Sequence, residues 1–386
     1  MQKLILIFIL LFSNCDMFQT TGFQNANKNP SRISLKITPR LGSFFPAFQK
    51  LEYPENEINP LFANLRAESN SICKMLYKQE TFNLKKVKSY TNLGFIGPVE
   101  EKIYDDTVKR IIAGCWNFYQ MNDIKPERDF EHLKFILPDK KKNCFSVGFM
   151  QPYIMHSILD CETLTMLDMD WKILDGHSQI LEGFKNNKFE TETSGLKFIE
   201  SLKLNWIVGK KFQAEPIVNI DDLCKDNNKL CINYLLNFQK KFNNLKEINL
   251  NLSTIHEANI KPQNGHISII FVSNAFENYY TKPRNFEYMI QYLNSSLLEN
   301  DSVYFIYHVG GRPSYGIYQI QKKNNQLEYS TICKDEYRYT PPKEDVEIYQ
   351  IYFDYIKGMK KSKKACSSIQ FTQNISEDKK IKNFQK

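Results

Sequence analysis

The stretch "TLTMLDMDWKILDGH", Thr163 to His177, decides how the rest of the chain reads. An apolar run breaks off at two acids, Asp168 and Asp170, and Trp171, Ile173 and Leu174 resume it at once. A surface loop would stay polar for longer. Short, continuous apolar runs mark strands buried on both faces, as in a parallel sheet. Ligands of such sheets bind beyond the carboxyl ends of the strands. An acid at the end of a buried strand is therefore a candidate ligand-binding group.

Neighbouring segments repeat the pattern. "NCFSVGF" (Asn143 to Phe149) reads as a strand, and "QPYIMHSILD" as a helix with Pro152 in its first turn. Further on come a helix, "NYLLNFQKKFNNL", a strand, "EINLNLS", and a strongly apolar strand, "HISIIFVS". The helix "NFEYMIQYLNSSLLEN" and the strand "SVYFIYHV" follow. Strands alternating with helices indicate an α/β fold with a parallel sheet. After Gly310-Gly311, "YGIYQIQKKNNQLEYSTIC" reads as an antiparallel hairpin turning at Asn324-Asn325.

Outside this unit, residues 60–141 read as a mainly helical N-terminal region. "PVEEKIYDDTVKRIIAGCWNFYQ" places Val108, Ile111, Ile112, Cys115, Trp116 and Tyr119 on one helical face. "KPERDFEHLKFILP" reads as a second, shorter helix ended by Pro138. Residues 175–224 read as irregular, with one helical piece, "SGLKFIESLKLN". A helix is expected within 334–364, and disorder over 365–386.

Gly148 follows "CFSV", and Asp168 lies about 20 residues later, the distance that separates a cofactor-binding glycine turn from the ribose-binding acid. On these residues and this order of elements, 142–333 resemble a class I S-adenosylmethionine-dependent methyltransferase. The resemblance implies a doubly wound, Rossmann-like sheet with S-adenosylmethionine, or another nucleoside-like small molecule, as ligand. It places Asp168 on the ribose, Met169 and Asp170 on the adenine side, and Gly148 beside the methionine part. Ser273 and Asn274 would sit at the exit of the fourth strand, against cofactor and substrate. The sequence departs from the family in four places, one of them the lack of a helix between the fifth strand and the hairpin. The first loop offers only Gly148, followed by bulky Phe149 and Met150. Ser253 and Thr254 stand where an acid follows the third strand, and an insertion covers about 176–224. The resemblance thus implies the fold with a degenerate cofactor site.

At the N-terminus, Lys3 precedes an apolar run, Leu4 to Phe12, then Ser13, Asn14 and Cys15. At 1.5 Å per residue the run reaches about 14 Å, too short to span a bilayer. Residues 1–15 resemble a bacterial lipoprotein signal, with Cys15 as the lipidated residue. Phe12 and Asn14 depart from the usual lipobox, and the other readings are an ordinary signal cut further on or a buried apolar N-terminus. Residues 16–59, which include the polar "FQNANKNPSR" (Phe23 to Arg32), read as a tether. The expected location is the bacterial envelope, lipid-anchored to a membrane, or the cytoplasm if the segment is not a signal. S-adenosylmethionine is made in the cytosol, so export argues against methylation.

The remaining chemistry is sparse. A net charge of +8 on 386 residues is mild. Lys140–Lys142 and the lysines from Lys357 to Lys364 read as a solvated loop and tail, because no base-stacking platform accompanies them, and no nucleic-acid partner is expected. Cysteines occur without C-x-x-C pairs, and several sit in apolar runs as small buried residues. Cys224 and Cys231 are placed to close a short loop. His256-Glu257 with His266 lacks metal-ligand spacing, so no metal is expected. His177 reads as a loop residue, and His308 as a residue at a strand end where a base could stand. "GGRPSYG", with Arg312, reads chiefly as entry to the hairpin. The functional expectation is an envelope lipoprotein with a degenerate methyltransferase-like domain in a binding or structural role. The alternative is an active methyltransferase of unknown substrate.

Overall fold

A computed structural model of the chain describes residues 30, 32–42, 47–78, 121, 123–202, 205–208, 213–216, 228–276, 283–309, 313–335, 353, 356–362 and 364–368. The elements run β1 (Arg32–Ile37), α1 (Pro39–Gly42), β2 (Glu52–Pro54), α2 (Glu55–Lys78), α3 (Pro126–Ile136), β3 (Lys142–Val147), α4 (Gln151–Leu159) and β4 (Thr163–Asp168). Next come α5 (Trp171–Lys185), α6 (Glu192–Ser201), β5 (Asn205–Val208), β6 (Gln213–Pro216), α7 (Asn228–Lys241) and β7 (Glu247–Leu252). The chain then forms β8 (Ile267–Ser273), α8 (Pro283–Ser296), β9 (Ser302–His308), β10 (Tyr315–Lys323) and β11 (Gln326–Lys334).

Nine strands form one mixed sheet in the order β11-β10-β9-β8-β3-β4-β7-β1-β2. β9, β8, β3, β4, β7 and β1 are parallel. β10 runs antiparallel between β9 and β11, and β2 antiparallel to β1. From β3 the chain winds first through β4 to β7, then returns to lay β8 and β9 on the other side. The switch point therefore lies between β3 and β8, at the carboxyl ends of both. β5 and β6 form a separate pair.

Strand alternation sends the core to both faces. Cys144, Leu164, Met166, Ile248, Leu250, Ile269 and Phe271 face one cluster, which α2, α4, α5 and α7 cover with Phe62, Tyr153, Trp171, Phe184 and Phe238. Phe145, Leu167, Ile270, Val272, Phe305 and Tyr307 face the second, which α8 covers with Phe286, Met289 and Leu293. The Phe184 ring centre lies 4.6 Å from those of Phe189 and Phe238. Each such buried ring contributes on the order of 1.5–3 kcal/mol.

Several expectations change. The stretch read as a tether supplies two strands, β1 and β2, and β1 pairs in parallel with β7 over its whole length. The stretch read as irregular from residue 175 begins inside α5, which Asp170 opens as N-cap by accepting the Lys172 N–H at 3.0 Å. His177 is thus a buried helical residue, not a loop residue. α6 matches the expected helical piece, and the capping box of Thr191 and Ser194 fixes its start. The hairpin turns at Asn324 and Asn325, with φ 50° and 61°, the left-handed pair that a tight two-residue turn requires.

At the C-terminal end, Ile356–Lys361 form a turn and a short bridge rather than the end of a helix. Lys360 pairs with Ser330 of β11, covering part of the sheet edge. Cys366 is disulfide-bonded to Cys333, so order extends to Ser368 within the tail read as disordered. A second disulfide joins Cys144 of β3 to Cys161, just before β4, and Cys231 is also disulfide-bonded. These cysteines are buried, as expected, but they are not free thiols. Cys15, Cys224, the helix expected over 98–120, Gly310–Arg312 and residues 336–352 of the helix expected over 334–364 lie outside the described residues.

Candidate functional site at the carboxyl edge of the sheet

Asp168 ends β4 where the parallel hydrogen bonding stops. Its carboxylate accepts the Asp170 N–H at 3.0 Å and the N–H groups of Gly148 and Met169. The acid thereby ties the turn after β4 to the turn after β3. Burial pushes its pKa up to about 7; the neighbouring Asp170 carboxylate adds to the rise, and the three N–H donors oppose it. Some of the residue's surface stays open to solvent, as does that of Met169.

Beside it sits a buried ion pair. Lys172 Nζ lies 3.5 Å from Asp170 Oδ2, and both side chains are almost fully enclosed. Burial raises the Asp170 pKa and lowers that of Lys172, and each partner's charge pulls the other back. Such a pair holds its geometry at a desolvation cost, and removing one partner leaves an expensive charge behind.

Gly148 carries φ +85°, a conformation open to glycine. A Cβ placed on it would clash with the side-chain amide of Gln151. The space above the glycine is therefore occupied by the Gln151 side chain. Gln151 Nε2 donates to Asp123 Oδ2 at 2.8 Å, and Ser273 Oγ donates to Asp123 Oδ1 at 2.7 Å. Asp123 thus bridges the ends of β3 and β8 across the switch point, and all three side chains are buried. Ser273 itself holds φ +48°, and its hydroxyl also reaches Asn274 Oδ1 at 3.4 Å. Phe149 and Met150, the bulky residues after the glycine, are turned into the core.

Two histidines brace the same edge. Tyr153 donates its hydroxyl to His177 Nδ1 at 2.7 Å, so His177 Nε2–H donates to the Gly148 carbonyl at 3.2 Å. Burial holds the His177 pKa down to about 3, against the pull of that carbonyl. His308, at the end of β9, accepts the Ile124 N–H on Nε2 at 3.1 Å, and its Nδ1 pairs with Asp129. Nε2 therefore carries the lone pair and is engaged by the main chain, which is not the arrangement of a general base. Arg128 lies 3.3 Å from Asp129 and 4.5 Å from the centre of the Tyr315 ring, whose hydroxyl meets His132.

The expected residues Gly148, Asp168, Met169, Ser273 and Asn274 thus all lie at the carboxyl edge, spread over the ends of β3, β4 and β8. Asp123, Gln151 and Tyr153 complete the edge and were not singled out from the sequence. Gln151 offered a signal, since it stands three residues after the glycine; Asp123 offered none, because its segment reaches the sheet from far along the chain. His256 and His266 do not meet. His256 lies beside Thr254 near the end of β7, whereas His266 pairs with Glu162 at the opposite edge. Among the described residues no group of His, Cys, Asp or Glu is arranged to hold a metal ion. A cleft of about 530 Å³ between β1, α2 and α5 is lined by Arg32, Glu55, Asn59, Ser178 and Lys185, and none of the expected site residues lines it. Among the described residues no helix is long and apolar enough to cross a membrane.

No family model matches the chain, and no curated protein matches it.

Proposed function

We propose that the protein is an exported, lipid-anchored α/β protein whose methyltransferase-like crevice is filled by its own side chains, and that its role is binding or structural rather than methyl transfer. The observation that carries this reading is Asp123. Its carboxylate holds Gln151 on one oxygen and Ser273 on the other, across the switch point where a nucleoside-type cofactor would enter. S-adenosylmethionine does not fit the residues as they stand. Gln151 occupies the space over Gly148 that the cofactor's methionine part would need. Asp168 is engaged by main-chain N–H groups where ribose hydroxyls would bind.

Export is supported by the buried disulfides Cys144–Cys161 and Cys333–Cys366, which belong to oxidising compartments. The anchor rests on Cys15 behind the run Leu4 to Phe12. An active methyltransferase is the second reading, favoured by the strand order around the switch point and by the part of Asp168 still open to solvent.

Two measurements test the proposal. Radiolabelled palmitate fed to expressing cells should label the protein, and Cys15→Ser should abolish the label; an unlabelled wild-type protein removes the anchor. In thermal unfolding, about 1 mM S-adenosylmethionine should leave the transition unmoved. A ligand bound with a Kd of about 10 μM would add about 2.7 kcal/mol at that concentration, a shift of several degrees that would sink the filled-crevice reading.

A further inference from the structure

We infer that the amino-terminal edge of the sheet is a membrane-facing surface that rests on anionic lipid headgroups. The inference builds on the lipid-anchor reading and adds a second, electrostatic contact to it. Because β1, β7, β4, β3 and β8 are parallel, their first residues share one edge. Arg32, the first residue of β1, pairs there with Glu247, the first of β7. The chain that leads back to Cys15 therefore enters the domain at this edge and not at the crevice.

The same edge collects lysines. Main-chain bonds link Ile267 to Lys141, Glu162 to Lys142 and Lys246 to Glu162, at 2.8, 2.9 and 2.8 Å, so these residues lie side by side along it. Lys141 and Lys246 are 60% and 64% exposed and share the single carboxylate Glu162. Lys140 is exposed beside them, and Lys134 ends α3 nearby. Burial lowers the pKa of Lys241, at the end of α7; the Asp160 carboxylate opposes the shift and the positive charges of Lys134 and Lys142 add to it, so these lysines and one acid lie within electrostatic reach of one another. Phe135, next to Lys134, is 51% exposed, an aromatic ring in the position of an interfacial wedge. The opposite edge has Asp123, Asp129, Asp168 and Asp170 set into it, with Lys172 and Arg128 paired to two of them. α3 carries this polarity along its own length, with Glu127 and Asp129 in its first turn and Lys134 in its last.

Juxtaposed lysines are attracted to anionic headgroups, and a lipid chain plus a basic patch anchors more firmly than one lipid chain alone. A domain held by a tether from its basic edge would present its crevice edge away from the bilayer.

The test uses the full chain carrying Cys15→Ser, so that no lipid is attached. It is mixed with vesicles of phosphatidylcholine alone, or of phosphatidylcholine with about 30% phosphatidylglycerol, and sedimented. The apolar N-terminus contributes equally to both, so the ratio of the two partition coefficients reads the electrostatic contact. The ratio should exceed tenfold at low salt and collapse at about 0.5 M salt. Each lysine removed should weaken the anionic binding about fivefold. Lys134→Gln, Lys140→Gln and Lys141→Gln combined should therefore abolish the preference, while Phe135→Ala should weaken binding to both vesicle types. The combination Lys334→Gln, Lys361→Gln and Lys364→Gln removes the same charge at the β11 edge and should leave the ratio intact. Circular dichroism confirms that each variant is folded. Equal binding to both vesicle types, equal losses in the two triple variants, or binding to a single-stranded oligonucleotide in place of vesicles would each overturn the inference. Palmitate labelling at Cys15 is unaffected by these outcomes, so the anchor and the basic surface fail separately.

Discussion

Gly148 and Asp168 show how much one position can carry. Gly148→Ala would place a Cβ into the Gln151 amide and force φ +85° on a residue with a side chain. A loss of about 2 kcal/mol is expected in urea unfolding, and adding Gln151→Ala should return the steric part but not the backbone part. Asp168 makes a pH prediction. An unfolded Asp releases its proton near 3.9, whereas folded Asp168 holds it to about 7. Between those values the folded state binds more protons, so this group makes stability fall as pH rises, by at most about 1.4 kcal/mol per pH unit. Buried His156 and His177, with pKa values held down to about 4 and about 3, act in the opposite sense, so the comparison must be against a variant. Going from about pH 5 to about pH 8, Asp168→Asn should gain about 2 kcal/mol on the wild type; a constant difference would show that the carboxyl is not held protonated. The sequence spacing marked both residues, because a glycine and an acid about 20 residues apart mark adjacent strand ends. It did not mark Asp123, whose contacts with Gln151 and Ser273 depend on where its segment is carried by the fold.

α5 begins at the second acid of the opening stretch, and its start is the element most exposed to a single change. Asp170 caps the helix through Oδ1 and faces Lys172 through Oδ2. Asp170→Ala should therefore cost more than the roughly 1 kcal/mol of a lost cap. With Lys172 left as a buried charge, about 3–5 kcal/mol is expected. Asp170→Ala with Lys172→Met should recover most of the difference, leaving about the cap alone. Additive losses in this cycle would mean that the two charges do not interact. β3, β4 and β7 to β11 were legible as short strand-like runs with turn residues at their ends, whereas β5 and β6 fall in the stretch read as irregular. α5 was misread because Gly176 and His177 interrupt its pattern on the page, although in the fold both are buried and His177 packs against Phe149 and Tyr153. β1 was missed because "RISLKI" follows a polar stretch, and its reason for being a strand is its partner β7.

At the scale of the whole molecule, the sheet is closed at one edge by a covalent strap. Lys360 extends β11 by main-chain bonds at Thr331 and Tyr329, and Cys366 locks the segment to Cys333. In the chain-entropy picture a loop of that span contributes about 3–4 kcal/mol. Cys333→Ser with Cys366→Ser should lower stability by up to that amount and speed amide exchange at residues 329–334, while leaving the crevice residues protected. Uniform exchange across the sheet would instead mean that the strap holds the entire fold. The mixed nine-stranded α/β sheet was largely legible from sequence, apart from the strands β1 and β2 supplied by the stretch read as a tether. What fills the switch point was not, since that depends on side chains meeting from residues 123, 151 and 273. The central claim is that these side chains close the crevice. Calorimetric titration of S-adenosylmethionine into the wild type and into Asp168→Ala tests it most directly. No heat of binding at millimolar ligand is expected for either protein; micromolar binding to the wild type that Asp168→Ala abolishes would contradict the account.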